Sequence, residues 1–217
     1  MKRILLVVIT EGDVTLAPFC SSLVQSVKTG LANNIELFPV FLPANGNWSM
    51  AFNQGVTIAW EQKLDGFLCV SPRVSWQPES LLELATTNKD AVAMPVATKG
   101  GFEVSLGEVA RLQEDEATGE VKVQGASLDF IYLSPYALGR LCETHPTVTY
   151  KNQDIKLVLQ SGDIYNAYFD PADILAYRLR EQGIEVWVSS QHTAYRQDAV
   201  EYTANFKEVL SNLKANG

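Results

Sequence analysis

The 217-residue chain carries a formal net charge of -8 at pH 7, with 47% hydrophobic and 19% charged residues. That length fits one α/β domain with a substantial core, and the composition excludes a disordered or low-complexity chain. The acidic balance excludes a protein whose main task is to coat nucleic acid, because backbone binding needs clustered Lys and Arg to displace counterions.

The first apolar run, Ile4 to Ile9, predicts a buried strand. Met1-Lys2-Arg3 ahead of it resembles the start of a signal peptide, but the run is short and meets Thr10-Glu11-Gly12-Asp13 instead of a small-residue cleavage site. A helix over Pro18 to Lys28 follows, with Phe19, Leu23 and Val27 at helical spacing, and then a second strand, Ile35 to Leu42. After the loop Ala44 to Trp48, Ser49 is placed to cap a helix that carries Phe52, Val56, Ala59 and Trp60 on one face. This helix leads into Gly66 to Val70, whose unbroken apolar run reads as a central strand covered on both faces. It empties into the polar elbow Ser71-Pro72-Arg73, and ligands of open α/β sheets collect where such strands end.

Gln77-Pro78-Glu79 opens another helix, and Ala91 to Val96 reads as one further strand. From Phe102 to Val123, short alternating runs around Thr118-Gly119-Glu120 predict an antiparallel hairpin, with the acidic run Glu114-Asp115-Glu116 as its solvated tip. Leu128 to Leu133 is a strand, and Ser134-Pro135 caps a helix to about Glu143. Thr147 to Asn166 has little periodicity and reads as a loop-rich flap. Asp170-Pro171-Ala172-Asp173 starts a helix over Ile174 to Gln182, which stops at Gly183 before the strand Glu185 to Val188. The tail, Ala199 to Lys214, places Tyr202, Phe206, Val209, Leu210 and Leu213 at helical spacing. Strand and helix alternate, which predicts an α/β fold with a mostly parallel central sheet, helices on both faces and a small hairpin insertion. No apolar run approaches the ~20 residues that cross a bilayer. The odd, scattered Cys20, Cys69 and Cys142 read as a reducing compartment, and the expected location is the cytoplasm.

Several local stretches occur in an order that resembles a known family. These are Thr10-Glu11 closing the first strand, Asn53 on the helix before Asp65-Gly66-Phe67-Leu68, and Val74-Ser75-Trp76-Gln77-Pro78-Glu79. They continue with Ala91 to Pro95, Leu128 to Leu133 and Arg180 to Trp187. The order resembles the nucleotide-sugar-dependent glycosyltransferases of the GT-A fold, in particular the small phage and viral type. The resemblance implies a single GT-A-like domain, a nucleoside diphosphate sugar as donor, and transfer to an acceptor that is a glycan, a protein or a modified nucleotide.

It also implies roles for particular residues. Thr10, Glu11 and Asn53 match positions that contact base and ribose; read without the family, they are a strand-end turn and an exposed helix face. Ser71, Pro72 and Arg73 stand where such enzymes carry Asp-x-Asp, whose carboxylates hold a divalent metal against the diphosphate. With no carboxylate there, metal held in the usual way is not implied, and the motif is degenerate. Either Arg73 supplies the positive charge itself, or it is an elbow residue of a fold that has lost catalysis. The family's acidic pair falls on Pro171 and Ala172 by ungapped counting. A one-residue shift makes Asp173 the candidate base on the acceptor hydroxyl, against the plain reading of Asp170 to Asp173 as a capped helix start. The third landmark, His-Gly, corresponds to Tyr195-Arg196-Gln197, so Arg196 is a second candidate for fixed charge. Asp129 replaces a small residue beside the acceptor, as a candidate acid or a wall of the pocket. The alternative function is a catalytically inactive homologue that binds or assembles with a partner.

Overall fold

The computed structural model describes residues 1–11, 16–99, 101–107, 112–160, 162–164, 167–196 and 205–216, without the side chains of 162–164, 167–169 and 216. In chain order, β1 (Lys2–Thr10), α1 (Ala17–Ala32), β2 (Ile35–Pro43), α2 (Trp48–Glu61) and β3 (Phe67–Val70) form the first half of the main sheet and its helices. After the elbow come β4 (Val74–Ser75), α3 (Pro78–Thr86), β5 (Ala91–Ala93), β6 (Val96–Thr98), β7 (Gly101–Phe102) and β8 (Val104–Ser105). Next are β9 (Glu120–Val123), β10 (Gly125–Ala126), β11 (Phe130–Leu133), α4 (Pro135–Thr144), β12 (Thr147–Tyr150) and β13 (Gln153–Lys156). The chain closes with β14 (Gly162–Ile164), β15 (Ala167–Phe169), α5 (Pro171–Glu181), β16 (Val186–Ser189), β17 (Ala194–Arg196) and α6 (Phe206–Asn216).

The main sheet has the order β2-β1-β3-β11-β5-β16-β9. Five strands point one way, while β11 and β9 run antiparallel to their neighbours, so the sheet is mostly parallel. Alternation of side chains along β1 explains its unbroken apolar run. Leu5, Val7 and Ile9 pack with Phe52 and Val56 of α2 on one face, and Ile4, Leu6 and Val8 pack with Phe19 and Leu23 of α1 on the other. In β3, Phe67 and Cys69 join the first layer and Leu68 and Val70 the second. With α4 and α5 on the first face and α3 on the second, this is the mixed α/β architecture expected, flanked by small antiparallel sheets.

Helix starts follow the local chemistry. Ser134 and Asp170 each accept a backbone N–H from the first turn (Ala137 and Asp173), ahead of a proline at the first helical position. The α2 cap differs from expectation: Asn47, two residues before Ser49, accepts from Met50 N, and Ser49 is buried in the first turn. Gly183 ends α5 with φ of 73°, a left-handed value that glycine adopts without cost.

Three other expectations are corrected. Ala91 to Val96 is two strands: Pro95 has no N–H to continue a ladder, and β6 leaves for a second sheet of order β4-β17-β6-β7. The hairpin tip near Thr118 forms, with Asp115 N bonded to Glu120 O at 2.8 Å, but β9 finds its main partner in β16 and β8 pairs with β10. The tip is tied down by Lys89–Asp115 and Lys214–Glu114 ion pairs. The expected flap contains the hairpin β12-β13 and the strand β14, whose partner β15 lies just beyond it, and Ile155, Val158 and Leu159 are core residues. In the tail, Phe206 and Leu210 are buried while Val209 and Leu213 are exposed. Gly12, Asp13, Asn166, Gln197, Ala199 and Tyr202 lie outside the described residues. Among the described residues no helix is long and apolar enough to cross a membrane.

Candidate functional site

At the carboxyl edge of the main sheet, β1 runs out at half-buried Thr10 and exposed Glu11, and β3 runs into the elbow. Because β11 is antiparallel to β3, Asp129, just before it, arrives at the same edge. Ser71 N donates to Asp129 O at 2.8 Å, which joins the two segments. In the elbow Ser71 is half-buried, Pro72 is buried and Arg73 is exposed, with Arg73 N donating to Ser71 Oγ at 3.3 Å. Trp76 anchors it from below: its N–H donates to Ser22 Oγ (3.0 Å), its O accepts from that hydroxyl (2.9 Å), and its indole donates to Ser26 Oγ (2.9 Å). Among the described residues Arg73 makes no ion pair.

Arg196 enters beside the elbow because β17 pairs with β4, opposite Val74. Its guanidinium binds Glu103 (2.8 Å and 3.0 Å) and Asp129. Ser127 extends the cluster by donating to Glu103 Oε2 (2.7 Å) and accepting from Asp129 N (3.1 Å). Two carboxylates from separate loops are thus held side by side by one cation. The side chains are only about a quarter to a third exposed, so the pairing is only partly screened.

A cleft of about 570 Å³ opens on this cluster. Its lining includes Trp48 at the start of α2, Glu103, Asp129, and Asp170 and Asp173 at the start of α5. Small residues Ser105, Gly125 and Ala126 form a wall; a Cβ at Gly125 would stand 3.4 Å from Asp173 Oδ1. Trp48 is half-buried and backed by Phe52, the rings stacked with centroids 5.5 Å apart. Burial and the like charge of Asp170 push the Asp173 carboxyl above its usual range, while Arg180 opposes that shift.

The fold therefore brings Asp129 and Asp173 into one cleft. Thr10, Glu11, Ser71 and Arg73 lie along the same edge but do not line it. Asn53 goes elsewhere. It is fully buried, its amide donating to Leu159 O (2.6 Å) and accepting from Leu159 N (2.7 Å), so it is neither an exposed helix face nor open to a nucleotide. Arg196 is engaged by the protein's own carboxylates and does not stand as an open positive charge. His192 bonds Glu83 at 2.6 Å, which raises its pKa. Among the described residues no three of His, Cys, Asp and Glu converge as metal ligands. Trp48 and Glu103 were not singled out from sequence. Glu103 has no local signature, and Trp48 shows only as a loop aromatic before a helix.

No protein-family model and no curated protein sequence matches the chain. Solved structures do. A197 from STIV superposes with a TM-score of 0.54 at 15% identity, covering 90% of this chain and 86% of that one. GalNAc-T7 with UDP, GalNAc and Mn2+ gives 0.49 at 8% identity, over 97% of this chain and 47% of that one. Mannose-1-phosphate geranyltransferase from Thermus thermophilus gives 0.40 at 12% identity, over 87% and 74%. At these identities the likeness is one of fold alone.

Proposed function

We propose that the protein is a GT-A-like glycosyltransferase that transfers a sugar from a nucleoside diphosphate donor to a hydroxyl acceptor. The observation that carries this reading is Asp173, a carboxylate of raised basicity in a cleft that shares Asp129 with the Ser71–Arg73 elbow. A base whose pKa is shifted toward neutrality is better matched to taking a hydroxyl proton. In the step, the acceptor O–H proton passes to Asp173 and its oxygen bonds the anomeric carbon. The bond from that carbon to the diphosphate oxygen breaks, and the diphosphate leaves with the electron pair. Thr10, Glu11 and Ser71 line the donor side, and Arg73 faces the charge that grows on the leaving group.

The donor set does not fit a divalent ion held as in the resembled family. The strand end offers Ser71, Pro72 and Arg73, and Asp129 is committed to Arg196. Three free cysteines, two of them buried, fit a reducing compartment, here the cytoplasm of a host cell if the chain is of the phage and viral type.

Calorimetry against a panel of nucleoside diphosphates and their sugar conjugates, with and without manganese, tests this reading. Saturable sub-millimolar binding without metal is expected; no binding by any member overturns it. A second reading, a non-catalytic relative that binds a partner, is favoured by the Arg196 clamp on Glu103 and Asp129, which occupies charge that a donor could use. It predicts no nucleotide binding at all.

A further inference from the structure

We infer that the cleft between Trp48 and Asp173 selects an uncharged saccharide as acceptor and excludes phosphorylated ones; this rests on the transfer reading above. Three features of the cavity converge on that chemistry. The first is an aromatic platform. Trp48 is held in place by the stacked Phe52 ring behind it, and a rigid indole at a cleft wall packs the C–H face of a pyranose at little cost in side-chain entropy.

The second is the set of acceptors. Asp170 and Asp173, which make no ion pair among the described residues, offer carboxylate oxygens, the partners that sugar O–H donors need, and Ser105 adds a hydroxyl that donates or accepts. The lining mixes these polar groups with apolar residues such as Trp48, Val104 and Leu128, and such a mixed wall suits a pyranose, whose hydroxyls and C–H faces need both kinds of partner. The third is charge. Among the described residues no Lys, Arg or His lines the cleft. The nearby cations are Arg196, bound to Glu103 and Asp129, and Arg180, whose guanidinium donates to Gln124 O. Among the described residues four carboxylates against two arginines leave the cleft negative, so a phosphate group entering it meets like charge without a free cation to offset it. Gly125 keeps this wall free of a side chain beside Asp173, since a Cβ there would stand 3.4 Å from Asp173 Oδ1.

The test uses the full chain without nucleotide, so that acceptor binding is read independently of donor binding. Methyl glycosides of glucose, galactose and mannose are titrated by saturation-transfer NMR and tryptophan fluorescence, alongside the 6-phosphates of the same three sugars. At least one neutral glycoside is expected to bind in the millimolar range and its 6-phosphate about tenfold or more weaker, a difference near 1.4 kcal/mol. Trp48→Ala should weaken neutral binding about tenfold while Trp48→Phe restores most of it, each variant checked for an unchanged thermal melt. Asp170→Asn combined with Asp173→Asn should narrow the gap between neutral and phosphorylated sugar. Binding of no glycoside, or tighter binding of the 6-phosphates, overturns the inference. Saccharide binding without any nucleotide binding would sink the transfer reading and keep the cleft's preference for neutral sugars, while overturning its role as an acceptor site. Nucleotide binding without saccharide binding would leave the transfer reading standing and overturn this inference.

Discussion

The Asn53 side chain clasps the backbone of Leu159 at both ends, donating to its carbonyl at 2.6 Å and accepting its N–H at 2.7 Å across 106 residues of sequence. With Thr57 Oγ1 accepting Lys156 N at 2.9 Å, it fastens the β12-β13 segment to α2. Asn53→Ala leaves both Leu159 groups buried without partners. The expected loss is about 2–4 kcal/mol in urea unfolding. Nucleotide affinity of the folded fraction should be unchanged; a selective loss of affinity with intact stability would return Asn53 to the donor site.

Arg196→Ala removes the cation between Glu103 and Asp129 and leaves two facing carboxylates. The expected cost is about 1–3 kcal/mol, below that of a fully buried pair because the side chains retain some solvent. Arg196→Lys should recover part of it, since an ammonium keeps the charge but cannot fork across two carboxylates. Urea midpoints of the three proteins decide; equal midpoints would mean that the clamp contributes nothing to stability.

At the elbow, Arg73→Ala should reduce nucleoside diphosphate affinity about tenfold or more, the worth of a charged hydrogen bond, with an unchanged melting temperature because the side chain is exposed. Titration calorimetry on the variant reads this directly. Undiminished affinity would remove Arg73 from the donor side.

His192 links the loop after β16 to α3 through Glu83, and its pKa is raised chiefly by that hydrogen bond. A raised folded value means that the protonated imidazole stabilises the fold fully below the ordinary histidine value of about 6.5. That contribution is lost as pH climbs through the folded value. The stability gap between the native chain and His192→Gln should therefore be widest near pH 6 and shrink toward pH 8.5, as roughly bracketed by that titration. Chemical denaturation across the range checks the sign; a gap that widens with pH would be inconsistent with it.

Gly66 precedes β3 where a Cβ would stand 2.6 Å from Tyr132 Cε2 and 2.9 Å from its hydroxyl oxygen. Tyr132 is itself buried and has little room to move. Gly66→Ala is expected to cost about 1–3 kcal/mol through overpacking, measured as a lower melting temperature. An unchanged melt would show that the ring can shift.

The apolar runs of β1 and β3, the capped starts of α4 and α5 at Ser134 and Asp170, and the stop at Gly183 were legible from sequence because each depends on residues only a few positions apart. The alternation of these elements was enough for the mixed α/β class. Short-range chemistry also placed Asp173 in a first helical turn, without saying what it faces. The tertiary structure alone decided that Pro95 turns the chain from one sheet into another, and that β11 runs against β3 and so brings Asp129 to the elbow. It alone decided that Arg196 meets Glu103 and Asp129, residues 93 and 67 positions away. The partners of Asn53 and Arg196 were not legible from sequence for one physical reason: a polar side chain's surroundings are set by the donor, acceptor or charge it meets across the fold. For Asn53 that partner lies more than a hundred residues along the chain, where local pattern carries no trace of it.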